Sequence, residues 1–272
     1  MSANTAPASS TPAIVIFAPR ERARAMLRSI FPRRRNRLVL SRTAAGFEQA
    51  FHDTLVDAAI VDVGAVTSAP DETSHVACLA REFPSVPFFG LLSLRASEGP
   101  TLAHCAAWDF SDVLVDGVDD VVARQLVSRE SFTVRFASAL HDPPSSLALS
   151  SPLQQMTWRY VVERAGWGVR TDSLAKLLRV TREHLSRTFA ANGGPNLKRV
   201  IDLVRLLAAA ELAKNPGYDV RDVAKVLGFA SASHLSTTSQ RIVGTKSASL
   251  TRLRAVDLVD RFARGHGRSR RQ

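Results

Sequence analysis

Short apolar runs alternate with amphipathic segments along the first half of the chain. The runs are rich in Val, Ile, Leu and Phe, and the segments between them have apolar residues three and four apart. This alternation predicts an α/β fold, a doubly wound parallel five-stranded sheet with helices on both faces. The predicted strands lie at 13–17, 37–41, 58–62, 86–92 and 110–115. The predicted helices lie at 20–31, 44–53, 73–83, 97–107 and from 118 onward.

The second half has a different pattern. A segment rich in Pro and Ser at 141–151 predicts a linker, and the sequence after it has helical spacing throughout, which predicts an all-α domain. The ends are polar, so we expect a disordered tail and a basic tail there. The predicted organisation is a disordered tail at 1–12, an α/β domain at 13–140, a linker at 141–151, a helical domain at 152–258 and a basic tail at 259–272.

The helical half contains an internal repeat. LAKLLRVTREHLSRTF at 174–189 aligns with VAKVLGFASASHLSTTS at 223–239, and each copy has the pattern of a helix, a turn and a second helix. Thr181 and Ser231 are suitable N-caps for the second helices. The segment at 196–214 predicts a joining helix of about 28 Å, comparable with the roughly 34 Å turn of DNA.

The charge is concentrated in the same half. Residues 1–140 hold 14 Arg, no Lys and 15 acids, a net charge of −1, whereas residues 141–272 hold 22 basic and 10 acidic residues, a net charge of +12. Such an asymmetry suggests a polyanion partner, although basic surfaces also serve solubility.

The ordered set SLAKLL, HLSRTF, Arg205-Leu206, DVAKVLGF and the Gly244 turn resembles the DNA-binding domain of AraC/XylS transcriptional regulators over roughly residues 152–253. The resemblance implies two helix-turn-helix units joined by a long helix. It also implies double-stranded DNA and the transcription machinery as partners. Three departures stand out. Arg179 replaces a turn Gly, so the turn is expected to differ, Thr237 replaces a basic residue, and Ser239 replaces a buried Phe.

The resemblance assigns outward positions to each recognition helix. Arg187 is suited to guanine and Glu183 to cytosine, whereas Arg182 and His184 are better placed for phosphates. In the second unit no outward position has a charge or a long donor, so we expect the first unit to dominate base readout. The predicted DNA-binding residues are Arg182, Glu183, His184, Ser186 and Arg187 in the first unit, and Ala232, Ser233, Ser236 and Thr237 in the second.

The first half resembles a response-regulator receiver domain in outline, with Asp62 where that family has its phosphoacceptor. The family also needs an acidic pair after the first strand and a Lys after the fifth, but this chain has Ala18-Pro19-Arg20 and Val115-Asp116-Gly117 there. We therefore expect a degenerate receiver without phosphorylation at Asp62, which provides dimerisation or signal input.

Other function classes find little support. Cys78 and Cys105 lack metal or disulfide spacing and are expected to be buried thiols. The sequence contains no catalytic constellation, metal site or cofactor motif, and it contains no membrane span or signal peptide. We therefore expect a cytoplasmic protein that is not an enzyme. The leading hypothesis is a DNA-binding regulator. The alternatives are a protein-interaction adaptor or co-regulator with weak DNA binding, and a phosphorylated response regulator.

Overall fold

The computed structural model describes residues 12–32, 36–65, 70–92, 99–117, 120–191 and 194–268. Apart from Pro12, the predicted N-terminal tail lies outside these residues, as does the end of the predicted basic tail, 269–272. Among the described helices, none is long and apolar enough to cross a membrane.

The first half contains the predicted parallel sheet. Its order is β2-β1-β3-β4-β5, the flavodoxin-like order that receiver domains share. All pairs are parallel because each strand is followed by a crossover helix, which confirms the predicted fold class. The strands are β1 (Ala13–Phe17), β2 (Arg37–Ser41), β3 (Val56–Asp62), β4 (Phe88–Leu92) and β5 (Asp112–Val115).

The helices of this half cover the sheet on both faces, because side chains of adjacent strand residues point to opposite sides. Ile14 and Ile16 pack in one apolar cluster, whereas Val15 and Phe17 pack in the other. The helices are α1 (Glu21–Ile30), α2 (Ala44–Asp53), α3 (Pro70–Glu82), α4 (Gly99–Ala107), α5 (Asp120–Glu130) and α6 (Phe132–Ala139).

The second half is helical, as predicted, and is built around α10 (Leu197–Leu212). This helix is about 24 Å long at roughly 1.5 Å per residue and buries most of its residues. The described helices of this half are α7 (Pro152–Val162), α8 (Thr171–Leu177), α9 (Arg182–Ala190), α10 (Leu197–Leu212), α11 (Val220–Val226), α12 (Ala232–Val243) and α13 (Ala255–Arg268).

Three features of the structure differ from the sequence-based expectations. The segment expected as a linker includes a short 3-10 helix, Ser145–Leu147, and buries Leu147 and Leu149. The segment expected as a basic tail is helical as far as Arg268, because α13 places Leu258, Val259 and Phe262 on one buried face.

The third difference concerns the cysteines. Cys105 is buried, as expected, but the prediction for Cys78 was wrong, because its side chain is exposed. The buried face of α3 is formed by Thr73, Val76, Ala77, Leu79 and Ala80, and Cys78 lies on the opposite side of the helix.

Candidate nucleic-acid interface

The first helix-turn-helix unit consists of α8 and α9. Leu185 and Phe189 of α9 are buried, so the opposite face of this helix points outward. The Thr181 hydroxyl accepts a hydrogen bond of 3.1 Å from the backbone N–H of His184. Thr181 is therefore the N-cap of α9, as its hydroxyl and position predicted.

The turn of this unit contains a strained residue. Arg179 has a φ of +54°, and Gly228, its equivalent in the second unit, has a φ of +67°. The expectation that Arg179 would change the turn was wrong, because the backbone keeps the left-handed conformation. A non-glycine residue there costs about 1–2 kcal/mol.

The outward face of α9 presents all five residues predicted for the first unit. Arg182, Glu183, His184, Ser186 and Arg187 are exposed, and Arg182 lies 3.5 Å from Asp172, an exposed ion pair of little energetic weight. Within the described ranges the Arg187 guanidinium has no hydrogen-bond or ion-pair partner. It is therefore available for both acceptors of a guanine edge, as bidentate recognition requires.

The second unit consists of α11 and α12 and has the same frame. The Ser231 hydroxyl accepts a hydrogen bond of 3.0 Å from the His234 N–H, which makes it the predicted N-cap. Ser233 and Thr237 are exposed, whereas Ala232 and Ser236 are half-buried. Thr237 donates its hydroxyl proton to the carbonyl of Ser233 within the helix, 2.9 Å away.

The one cation of α12 is paired. Arg241 donates to Asp202 of α10 over 2.8 Å, so it fastens the recognition helix to the joining helix. His234 is exposed at the start of α12, with its ring 5.7 Å from Phe229 in edge-on geometry. His234 was not among the predicted contact residues, although its position matches that of His184. The second recognition face therefore offers hydroxyls and one imidazole for contact with DNA.

Ser239 points into the core of the second unit. It is fully buried, and its hydroxyl has no hydrogen-bond partner in the described structure. Because α13 packs against α12, Leu258, Val259 and Phe262 enter the same apolar core. The second unit therefore has apolar support beyond the end of the resemblance.

Arg205 connects α10 to the turn of the second unit. Its guanidinium lies 4.0 Å from the centre of the Phe229 ring and donates a 2.9 Å hydrogen bond to the Leu227 carbonyl. Burial lowers the pKa of this guanidinium. In the sequence Arg205 was a marker of the resemblance, but its contacts show a structural role in holding the second unit against the joining helix.

The turn between α10 and α11 is docked on the N-terminal domain. Asn215 and Ser85 exchange two hydrogen bonds of 2.8 and 2.7 Å, and the Gly217 N–H donates to the Glu82 carbonyl over 3.0 Å. The Tyr218 ring lies 4.8 Å from the Phe83 ring. These contacts attach the sheet domain to the beginning of the second unit.

Two side-chain pairs extend this contact along α11. Lys225 lies 2.6 Å from Asp53, and His52 lies 3.1 Å from Asp222. The Lys225 hydrogen bond lowers the pKa of Asp53. Together with the docked turn, these pairs join α2 and α3 to the helix that, in helix-turn-helix complexes, crosses the DNA backbone.

Asp62 is fully buried at the carboxyl end of β3. Arg20 follows β1, and its Nε donates to both carboxylate oxygens of Asp62, at 3.1 and 2.9 Å. The Nη2 of Arg20 also donates to Oδ1 of Asp62. The guanidinium also lies against Gly64, where a Cβ would collide with it. In the described structure no three His, Cys, Asp or Glu side chains are grouped as a metal site requires.

Comparisons with known proteins agree with the geometry of the helical half. Residues 174–252 match the family model described as a helix-turn-helix domain, of the AraC type. This segment is similar to AraC-type helix-turn-helix domains. The match confirms the predicted resemblance and supports a DNA-binding transcription regulator.

Whole-chain comparisons add less. No curated protein matches the chain. The structure of full-length FixJ from B. japonicum covers 85% of this chain and 96% of its own length, with 12% sequence identity and a TM-score of 0.39.

Proposed function

We propose that this chain is a sequence-specific transcriptional regulator in which the first helix-turn-helix unit dominates base readout. The observation that carries the proposal is the contrast between the two recognition helices. Arg187 on α9 is exposed and unpaired within the described structure, whereas Arg241, the one cation on α12, is bound to Asp202. A bidentate arginine contributes about 1–3 kcal/mol of discrimination at one base pair.

We propose that the residues of the first unit divide between bases and phosphates. Arg187 and Glu183 take base edges, and Arg182 and His184 take phosphates, with Ser186 between them. In the second unit Ser233, Ser236 and Thr237 contact the backbone and Ala232 meets a thymine methyl group. The net charge of +12 in this half favours the phosphate contacts on which affinity depends.

We propose that the N-terminal domain is a pseudo-receiver that acts without phosphorylation. The Asp62 carboxylate is occupied by Arg20, and Ala18 and Pro19 stand where a receiver has its acids. Signal input then reaches DNA through the contacts at Asn215, and a second copy can associate through α4 and α5. Those helices leave Leu102, Val121 and Val122 about half exposed, a pattern that favours self-association over a bare surface.

Binding of the full-length protein to a labelled promoter library at physiological salt tests the proposal. We expect retention of a subset of fragments, with competition by unlabelled copies of the same fragments. Weak retention that does not depend on sequence would refute the proposal and favour an adaptor that acts through another regulator.

A further inference from the structure

A mainly apolar cavity lies where the N-terminal domain meets the joining helix. Its volume is about 400 Å³, and its walls come from α6, the segment at Pro84 and Ser85, α10 and the first residue of α13. Small-molecule sites are typically apolar clefts of about 300–1,000 Å³ and are common at domain interfaces. This cavity has that size and that position.

The apolar wall of the cavity is aromatic. Phe132 and Phe136 of α6 are almost fully buried, and their rings are stacked with centroids 5.9 Å apart. Leu140 and Leu207 add aliphatic surface from α6 and α10. A planar aromatic group is therefore the body that such a wall accommodates best.

The charged groups at the cavity favour an anion. Arg135 is exposed and donates from Nη2 to the Ser85 carbonyl over 2.6 Å, whereas its Nε and Nη1 have no hydrogen-bond partner among the described residues. Glu211 also lines the cavity, but Lys214 neutralises it at 2.7 Å. Asp57, which attracts Arg135, already accepts two hydrogen bonds from Thr133. A guanidinium with open donors suits a carboxylate.

We propose that this cavity binds a small aromatic monocarboxylate. The carboxylate pairs with the Arg135 guanidinium, and the apolar body lies against Phe132 and Phe136. A change of DNA affinity caused by the ligand rests on the proposed function, whereas binding of the ligand to the cavity does not.

The walls of the cavity are connected to both helix-turn-helix units. The Leu140 carbonyl accepts a 2.8 Å hydrogen bond from the Trp158 indole of α7, and Gln154 of the same helix donates to the Thr188 carbonyl of α9 over 3.1 Å. On the other side, Ser85 holds Asn215 at the turn that leads to α11. A bound ligand therefore contacts residues that position each recognition helix.

Calorimetric titration of the full-length protein with phenylacetate tests the proposal. The matched neutral probe is phenylacetamide, and the intrinsic tryptophan fluorescence of the protein provides a second readout. We expect saturable binding of phenylacetate with a Kd between about 10 µM and 1 mM. We expect phenylacetamide to bind the wild-type protein at least about tenfold more weakly than phenylacetate does. We expect phenylacetate to lose affinity for the Arg135→Gln variant by the same factor.

Two further variants separate the cavity from the rest of the surface. Ala139→Phe places a ring at the cavity wall and should abolish binding, whereas Arg129→Gln removes an exposed cation from α5 and should leave the Kd unchanged. Absence of saturable binding to the folded protein would overturn the proposal, as would equal affinities for the two probes or for the Arg135→Gln variant. Because no DNA is present, a failure of sequence-specific DNA binding would be detected separately.

Discussion

Arg20 donates to both carboxylate oxygens of Asp62, the aspartate that ends β3 and that the receiver resemblance places at the phosphoacceptor position. Asp62 is fully buried, and the side chain of Arg20 is about one-third exposed. Removal of one partner from a buried pair leaves the other charge without compensation.

Arg20→Ala should therefore lower the free energy of unfolding by about 1–3 kcal/mol, below the usual range for a fully buried pair because Arg20 is partly hydrated. Arg22→Ala is the matched control, since the side chain of Arg22, which pairs with Asp116, is about three-quarters exposed. It should change the free energy by less than about 0.5 kcal/mol. Urea unfolding measures both, and equal effects would contradict the importance of the Arg20–Asp62 pair.

The same pair predicts the response to a phosphodonor. After incubation with acetyl phosphate and Mg²⁺, the intact mass of the wild-type protein should be unchanged, because the carboxylate is buried and bound. A stable adduct at Asp62 would refute the assignment as a pseudo-receiver. Asp62→Asn is the control for adducts at other sites.

The left-handed turn of the first unit predicts a stabilising substitution. Arg179→Gly should raise the free energy of unfolding by about 0.5–1 kcal/mol, since relief of strain exceeds the added freedom of the unfolded chain. Gly228→Ala should have the opposite effect, a loss of about 1 kcal/mol. Thermal melts of the two variants provide the comparison. A destabilised Arg179→Gly protein would show that the Arg179 side chain contributes more than its backbone strain costs.

The docked turn predicts that the N-terminal domain and the second unit share stability. A Cβ at Gly217 would lie 2.5 Å from the Phe83 ring, whereas one at Gly265 of α13 has no heavy atom within 4 Å. Gly217→Ala should therefore cost about 1–3 kcal/mol, and Gly265→Ala should be neutral or stabilising by up to about 1 kcal/mol. Equal melting temperatures would contradict the interface.

How far the sequence predicted this structure depends on the range of each interaction. Local periodicity predicted β1 and β2 with the observed bounds, and a local hydroxyl predicted both N-caps. By contrast, the contact of Tyr218 with Phe83 joins residues far apart in sequence, and no single-sequence pattern reports such pairing. The Arg179 turn was misjudged because tertiary packing outweighed a local preference of about 1–2 kcal/mol.

The candidate site was predictable to a similar degree. The exposure of Arg187 follows from its spacing to Leu185 and Phe189 on α9. The engagement of Arg241 by Asp202 depends on a crossing of α10 and α12 that only the folded chain shows. The helix α13 was not predicted, because the many charged residues of this segment obscured the helical spacing of Leu258 and Phe262.

The two cysteines predict a simple chemical test of the fold. Burial raises the pKa of the Cys105 thiol to about 11, whereas Cys78 is exposed. Because the thiolate is the reactive form, a maleimide should label one thiol rapidly at about pH 8 in the native protein and two in denaturant. Peptide mapping should place the native label on Cys78. Rapid native labelling of Cys105 would contradict the packing of α4 against the sheet.

Selection of bound sequences from a randomised DNA pool tests the central claim most directly. The experiment uses the wild-type protein, Arg187→Ala and Thr237→Ala. We expect an enriched motif whose strongest position is a guanine, a loss of that preference of about 1–3 kcal/mol in Arg187→Ala, and little change in Thr237→Ala. Equal losses in both variants, or no enriched motif in the wild type, would contradict the dominance of the first unit.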